Sequence, residues 1–153
     1  LRLRRERAHA GRRQIQLEEQ LPEEADLVGD REAIWLAVSN LVANAIDYSP
    51  TGGRVRIVMR ADEHEVSVSV EDSGPGVPES EREKIFEPFY RGETMKNRRA
   101  GYGLGLSISK KAVDAHGGTL RVDRSPDLGG ARFRLALPRT PRGARKPEHD
   151  QLA

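Results

Sequence analysis

Two short runs in this chain alternate apolar and polar residues with a period of two. Val55, Ile57 and Met59 fall on one face of the first, Val66, Val68 and Val70 on one face of the second, and only a few residues around positions 62–64 separate them. Such a pair is a β-hairpin with one buried side. A sheet with one buried face needs a second layer to cover it, and the chain supplies helices for that layer. Asp30 stands where a helix N-cap belongs, and from there to about Tyr48 the residues Ile34, Val38, Leu41 and Ala45 recur at helical spacing. Ser49-Pro50-Thr51-Gly52-Gly53 ends that helix in a loop. A second helix is expected over about 103–116, with Leu104, Ile108, Ala112 and Ala115 on one face and Gly117-Gly118 as its cap. Strands at 119–123 and 131–137 follow, the latter with Phe133, Leu135 and Leu137 inward and Arg132 and Arg134 outward. The expected fold is a two-layer α/β sandwich: a mixed, mostly antiparallel sheet of about five strands with about three helices packed on one face.

The rest of the chain is read from breakers and charge. The first dozen residues look like the end of an Arg-rich helix stopped near Gly11, and residues 14–18 alternate around Ile15 and Leu17 as a strand does. Leu21-Pro22 breaks that strand, and residues 25–28 are a second short strand candidate. Residues 77–102 form a long charged stretch with one short helical turn at 81–86. A connection of that length is characteristic of a lid or binding loop. From Pro138 the chain has three prolines and no periodicity, the signature of a disordered tail. The resulting division is 1–13, the end of a preceding helix or a linker; 14–138, the folded domain; and 139–153, the tail.

Composition excludes several classes. A length of 153 residues suits one domain with one core. The absence of cysteine removes a disulfide scaffold, a thiolate zinc site and a cysteine nucleophile. No apolar run approaches the ~20 residues of a membrane helix, and the opening Leu-Arg-Leu-Arg-Arg is followed by no signal-peptide block. Because the first residue is not Met, the chain is expected to be a piece of something longer. The net charge of +2 sits at the ends: residues 1–13 hold six Arg and one Glu, whereas residues 14–137 hold 16 basic and 21 acidic side chains. A nucleic-acid binder carries its positive charge on the folded face, so no nucleic-acid partner is expected.

Four elements carry chemistry. On the first long helix, Asn40, Asn44 and Asp47 form a stripe beside the apolar one. Two carboxamides one turn apart present oxygens to a hard cation or amides to phosphate; an amphipathic helix also shows such residues on its polar flank. Asp72-Ser73-Gly74-Pro75-Gly76 follows a strand directly. Its glycines allow a sharp turn and a close backbone approach, and an acceptor-only carboxylate there can take a hydrogen bond from an exocyclic amine; the alternative is an ordinary Gly-Pro turn. Gly101-Tyr102-Gly103-Leu104-Gly105-Leu106 opens the second helix, where exposed N–H groups and the helix dipole favour an anion. It matches neither a dinucleotide fingerprint nor a P-loop, which leaves another kind of phosphate cradle or glycines that permit close packing. Between them lie Phe86-Glu87-Pro88-Phe89-Tyr90-Arg91 and the cations Lys96, Arg98 and Arg99. The phenylalanines suggest a hinge that docks on the body, and cations in a lid can close over a triphosphate; a solvated charge run is the plainer reading of some of them.

Together and in this order, the segments 40–48, 72–76, 86–89 and 101–106 resemble the N, G1, F and G2 boxes of the sensor histidine kinase ATP-binding domain. That domain belongs to a wider family shared with gyrase, the Hsp90 chaperones and the MutL repair proteins. His116-Gly117-Gly118, Ser125 and Gly129-Gly130-Ala131-Arg132-Phe133 resemble the end of the same domain, so the likeness spans roughly 14–138.

The resemblance implies the Bergerat-type sandwich with a mobile ATP lid, Mg²⁺ and ATP as cofactors, and transfer of the γ-phosphoryl group to a histidine on a separate dimerisation domain of the same, dimeric, protein. By motif, Asn44 would be the Mg²⁺ ligand, with Asn40 assisting at the metal or phosphates. Asp72 would receive the adenine amino group between Gly74 and Gly76, with Tyr48 against the base. Gly101, Gly103, Gly105 and the N–H groups around Tyr102, Leu104 and Leu106 would hold phosphates. Tyr90 and Arg91 would belong to the site, Arg91 as a lid cation.

Relatives that activate water or a serine hydroxyl carry a Glu base at the position of Asn40. An Asn there points instead to a histidine acceptor, already a good nucleophile near pH 7. Asp47 stands where many relatives place a basic residue, and Ala100 replaces a frequent glycine. None of His9, His64, His116 and His149 has the context of a phosphoacceptor, so the piece is expected to bind nucleotide without phosphorylating itself. The resemblance further implies a response regulator as partner and a cytoplasmic domain without membrane contact, in a parent held in the inner membrane. An anti-sigma-type serine kinase and a nucleotide-sensing module without transfer are the competing expectations.

Overall fold

The structure is a computed structural model that describes residues 2–22, 25–90 and 105–140. The chain runs α1 (Arg4–Arg12), β1 (Gln16–Gln20), α2 (Arg31–Tyr48), β2 (Arg54–Ala61), β3 (Glu65–Asp72), two 3-10 turns (Glu79–Glu81 and Lys84–Phe86), α3 (Gly105–Ala115), β4 (Thr119–Arg124) and β5 (Ala131–Pro138). The sheet order is β1-β2-β3-β5-β4, with β1 parallel to β2 and every other pair antiparallel. This is the expected two-layer sandwich of five strands and three helices. No helix among the described residues is long and apolar enough to cross a membrane.

Each boundary has a local cause. Asp30 caps α2, its carboxylate accepting from the N–H groups of Glu32 and Ala33 at 3.1 Å. Ser49 ends α2 in an extended conformation (ψ 142°) because Pro50 behind it excludes the helical region. The hairpin between β2 and β3 closes on Asp62, which accepts from the N–H groups of His64 and Glu65 at 2.7 and 2.8 Å. After α3, Gly117 adopts φ +71° and Gly118 N–H reaches back to the Val113 carbonyl at 2.9 Å, a Schellman ending.

The core lies between the helices and one sheet face: Val55, Ile57, Val68, Val70, Phe133 and Leu135 from the strands meet Val38, Leu41, Val42, Ala45 and Ile46 from α2. The buried face of α2 is wider than its apolar stripe suggests, taking in Ala37, Val42 and Ile46, because α1, α3 and the sheet all pack on it. Residues 1–13, read from sequence as an entering helix or linker, include α1, which lies against α2 with Leu3 and Ala10 buried.

Some expectations are corrected. Residues 25–28 form no strand: among the described residues one backbone bond, Val28 N–H to the Arg139 carbonyl at 2.8 Å, ties them, and Val28 is exposed. The first strand starts at Gln16 rather than 14, because Gln14 takes φ +55° to turn the chain out of α1. The turn at 81–86 is two separate 3-10 turns. Of the two phenylalanines expected to dock, Phe86 packs edge-on against Phe133 at 6.2 Å, while Phe89 is 69% exposed at φ +64°. The lid residues 91–102 and the tail from 141 lie outside the described residues, as does the expected beginning of the second helix before Gly105.

Candidate functional site

A small cleft opens where α2 ends and β3 runs out. Asn44, Tyr48, Asp72, Pro75, Gly76, Val77, Ala131 and Phe133 line it. Asp72 is the last residue of β3 and is 2% exposed. One oxygen, Oδ1, accepts from Gly74 N–H at 2.9 Å and from Ala131 N–H at 3.0 Å. A carboxylate gripped by two backbone amides is fixed in orientation, and its position at the cleft wall suits it to accept from a donor on a bound ring. Gly76 turns the loop back at φ +78°, a conformation that disfavours any side chain.

The two halves of this cleft are pinned to each other. Ser49 Oγ, at the C-cap of α2, accepts from Ser73 N–H at 3.4 Å, and Ser73 Oγ accepts from Arg54 N–H at 2.8 Å. The end of the Asn-bearing helix and the start of the Asp-bearing turn therefore share one hydrogen-bonded corner. Gly130 completes it from β5's side, its N–H donating to the Asp72 carbonyl at 3.0 Å. A Cβ there would collide with Asp72 Oδ1 and lie 2.6 Å from Gly74 N.

Of the residues singled out by sequence, Asn44, Tyr48, Asp72 and Gly76 meet around the cleft, with Gly74 hydrogen-bonded to Asp72 behind it. Asn40 faces the start of α3, its Nδ2 donating to the Gly105 carbonyl at 3.3 Å. The Leu106 side chain is buried in the core, which leaves only its backbone to face a ligand. Tyr90 Oη bonds Glu81 Oε1 at 3.1 Å and is not among the cleft's lining residues. Asp47 turns to α1, where His9 Nε2 lies 2.7 Å from its Oδ1. Arg91, Gly101, Tyr102, Gly103 and Leu104 lie outside the described residues, as do Lys96, Arg98, Arg99 and Ala100.

Sequence reasoning passed over Pro75, Val77, Gly130, Ala131 and Phe133 as site residues. The Gly129-Gly130 pair before an alternating strand was the available signal, since a glycine at a strand start marks close backbone approach. Among the described residues no group of three or more His, Asp or Glu side chains could hold a metal ion. A cation here would depend on carboxamide oxygens such as Asn44 and on oxygens that a ligand brings.

A Bergerat-type sheet with an Asn helix and an Asp-Gly turn at one corner decides the family when set beside known proteins. Residues 29–141 match the profile described as "Histidine kinase-, DNA gyrase B-, and HSP90-like ATPase". The chain belongs to that family. Its relatives place it in the sensor-kinase branch, as a catalytic ATP-binding domain. It is 36% identical to the sensor-like histidine kinase SenX3 of Mycobacterium tuberculosis over 154 residues, covering 94% of this chain and 37% of SenX3. Histidine kinase ThkA, solved in complex with the response regulator TrrA, superposes with a TM-score of 0.74 at 31% identity, covering 88% of this chain and 37% of ThkA. Full-length ShkA in complex with AMPPNP gives 0.69 at 28% identity, over 85% of this chain and 27% of that one. The chain thus spans about a third of the length of the sensor kinases it matches.

Proposed function

We propose that this domain binds Mg·ATP in the corner cleft and donates the γ-phosphoryl group to a histidine on a separate dimerisation domain, within a two-component sensor kinase that passes it on to a response regulator. The observation that carries the reading is the Asp72 carboxylate, buried, held by Gly74 and Ala131 N–H groups, and facing a cleft shared with Asn44 and Tyr48. Asp72 accepts the exocyclic amine of adenine, and Tyr48 and Val77 contribute apolar surface to the base. Asn44 offers a carboxamide oxygen to the cation, which suits Mg²⁺, a hard ion that takes few protein ligands and keeps phosphate oxygens and water. When bound, that ion neutralises phosphate charge. Asn40 offers no base, so the domain contributes positioning and charge neutralisation while the acceptor histidine supplies the nucleophile. The AMPPNP complex of ShkA and the TrrA complex of ThkA support nucleotide and response regulator as its partners.

Calorimetric titration of ATP with Mg²⁺ and with EDTA tests the assignment. The wild-type chain is expected to bind more tightly with Mg²⁺. Asp72→Asn should lower affinity about 100-fold, the cost of losing a charged hydrogen bond of roughly 2–3 kcal/mol, and Asn44→Ala should remove the Mg²⁺ dependence. Wild-type affinity in Asp72→Asn would overturn the adenine assignment. Label transfer from ATP to an added dimerisation domain, absent from a variant lacking its histidine, tests the reaction itself.

A further inference from the structure

The cleft occupies one side of α2, and α1 occupies the side next to it. Polar contacts run the length of the α1–α2 seam. Trp35 Nε1 donates to the Arg2 carbonyl at 3.2 Å, and Ser39 Oγ donates to the buried Glu6 carboxylate. The seam ends at Asp47, where His9 Nε2 meets Oδ1 at 2.7 Å. The Arg13 guanidinium donates to the carbonyls of Ile46, Asp47 and Ser49 at 3.2, 3.3 and 3.0 Å. The last turn of α2 is therefore gripped from α1's side by its backbone and by one acidic side chain.

Asp47 is the residue at which the two sides of α2 meet. At about 100° per residue it sits roughly 20° around the helix from Asn40 and roughly 60° from Asn44. Its carboxylate does not line the cleft; it points to α1. A carboxylate only accepts hydrogen bonds, so His9 Nε2 carries the hydrogen between them. Both side chains are about one-third exposed (31% and 33%), so water shields the bond only in part. Released from His9, a carboxylate one turn from Asn44 would share space with the phosphates and the cation, where its charge opposes the first.

We propose that His9 is a positioning residue of the nucleotide site: with Arg13 bracing the same turn, it holds the Asp47 carboxylate toward α1 and away from the phosphates of a triphosphate bound at Asn44. The inference rests on the Mg·ATP reading of the cleft. It makes α1 a wall of the site at one remove, so any displacement of α1 along α2 frees Asp47 and lowers triphosphate affinity. A bond that merely fastened α1 to the body would affect stability alone.

The test is titration of ATP, ADP and adenosine, with Mg²⁺, into the 153-residue chain carrying His9→Ala, His9→Gln or His9→Ala with Asp47→Asn. His9→Ala is expected to weaken ATP about tenfold, ADP less, and adenosine not at all, because the penalty scales with phosphate charge. Gln keeps an N–H donor and should bind ATP within about twofold of wild type. Asp47→Asn on the His9→Ala background should return the ATP affinity, since it removes the charge that was freed. If His9→Ala does not fold, His9→Leu, which keeps bulk without a donor, is measured in its place. Unchanged ATP affinity in the donor-less variant overturns the proposal. So does an equal loss for adenosine that Asp47→Asn fails to relieve. A wild-type chain that binds no ATP overturns the Mg·ATP reading and this inference with it, a result separable from wild-type binding that His9 does not influence.

Discussion

Glu71 and Asp72 are consecutive carboxylates on β3, and the period of two sends them to opposite faces of the sheet. Both are buried, at 7% and 2% exposure. Glu71 belongs to a row that crosses all five strands in register, Glu18–Arg56–Glu71–Arg132–Asp123, with the sign alternating at every step. Arg56 lies 3.2 Å from Glu18 and 3.8 Å from Glu71, and Arg132 makes two 2.8 Å bonds to Asp123. Asp72 belongs to the helix-covered face and is oriented by backbone amides at the cleft. The same functional group thus does two jobs according to what holds it. Carboxylates paired with arginines give their charge to the sheet, and a carboxylate held by amides keeps a fixed orientation for a ligand.

The two faces meet in the 125–131 loop, and the largest effect is expected there. Ser125 Oγ donates to Glu71 at 2.9 Å, and Ser125 N–H donates to the Gly130 carbonyl at 2.8 Å, while Gly130 and Ala131 hold Asp72. Gly130→Ala would drive a methyl group against the Asp72 carbonyl oxygen and to 2.6 Å from Gly74 N, so backbone itself must shift. A loss of about 3 kcal/mol or more in unfolding free energy is expected, with ATP binding abolished. Denaturant melts and calorimetry read both quantities. A variant that folds and binds like wild type would show the corner to be far softer than its geometry implies.

Glu71→Gln separates the faces where Gly130→Ala joins them. It removes a nearly buried charge beside Arg56 and within the field of Arg132, and is expected to cost about 2 kcal/mol of stability. ATP affinity should stay within about twofold of wild type, because a glutamine keeps an oxygen to accept from Ser125, through which this side chain reaches the loop that holds Asp72. Asp72→Asn is the mirror case, with its main effect on affinity. A fall in affinity for Glu71→Gln comparable to that of Asp72→Asn would break the comparison.

The apolar face of this sheet was legible in the sequence, and its polar face was not. Alternation in β2, β3 and β5 fixed which residues turn inward, and Asp30, Pro50 and Gly117 fixed where helices begin and end, because each acts on backbone within a few residues of itself. The charge row depends on register between strands far apart in the chain, and no local pattern in Glu18 or Asp123 announces it. The site divides in the same way. Asn44, Tyr48, Asp72 and Gly76 sit in short motifs whose geometry is local, whereas Ala131 and Phe133 join the cleft only through pairing of β5 with β3. A helical wheel puts Asp47 on one stripe with Asn40 and Asn44, because it shows an angle and not the His9 that claims the side chain. Residues 25–28 are a strand candidate that no neighbouring strand pairs, and a short apolar segment without a ladder makes no strand.

The smallest effect concerns the two ends of the row, Glu18 and Asp123, whose side chains are about one-quarter exposed. The guanidinium of Arg54, and then Arg56, holds the Glu18 carboxyl below its ordinary range, and Arg132 does the same for Asp123. A carboxyl whose folded value is depressed contributes stability above its unfolded value near pH 4, and loses it as pH falls through the folded value. Asp123→Asn should therefore lower the melting temperature slightly at pH 7, and wild type and variant should converge as the pH is taken below that range. Salt at about 1 M should narrow the same gap at pH 7, because these partners are reached by solvent. Asp62 is also depressed, but first by the N–H groups of Glu65 and His64, with the charges of His64 and Arg139 adding less. The melting-temperature deficit of Asp62→Asn should then resist salt where that of Asp123→Asn does not, since a short bond to a backbone dipole is less screened than attraction between mobile charges. Equal salt sensitivity in the two variants would mean that what holds a carboxylate matters less here than how exposed it is.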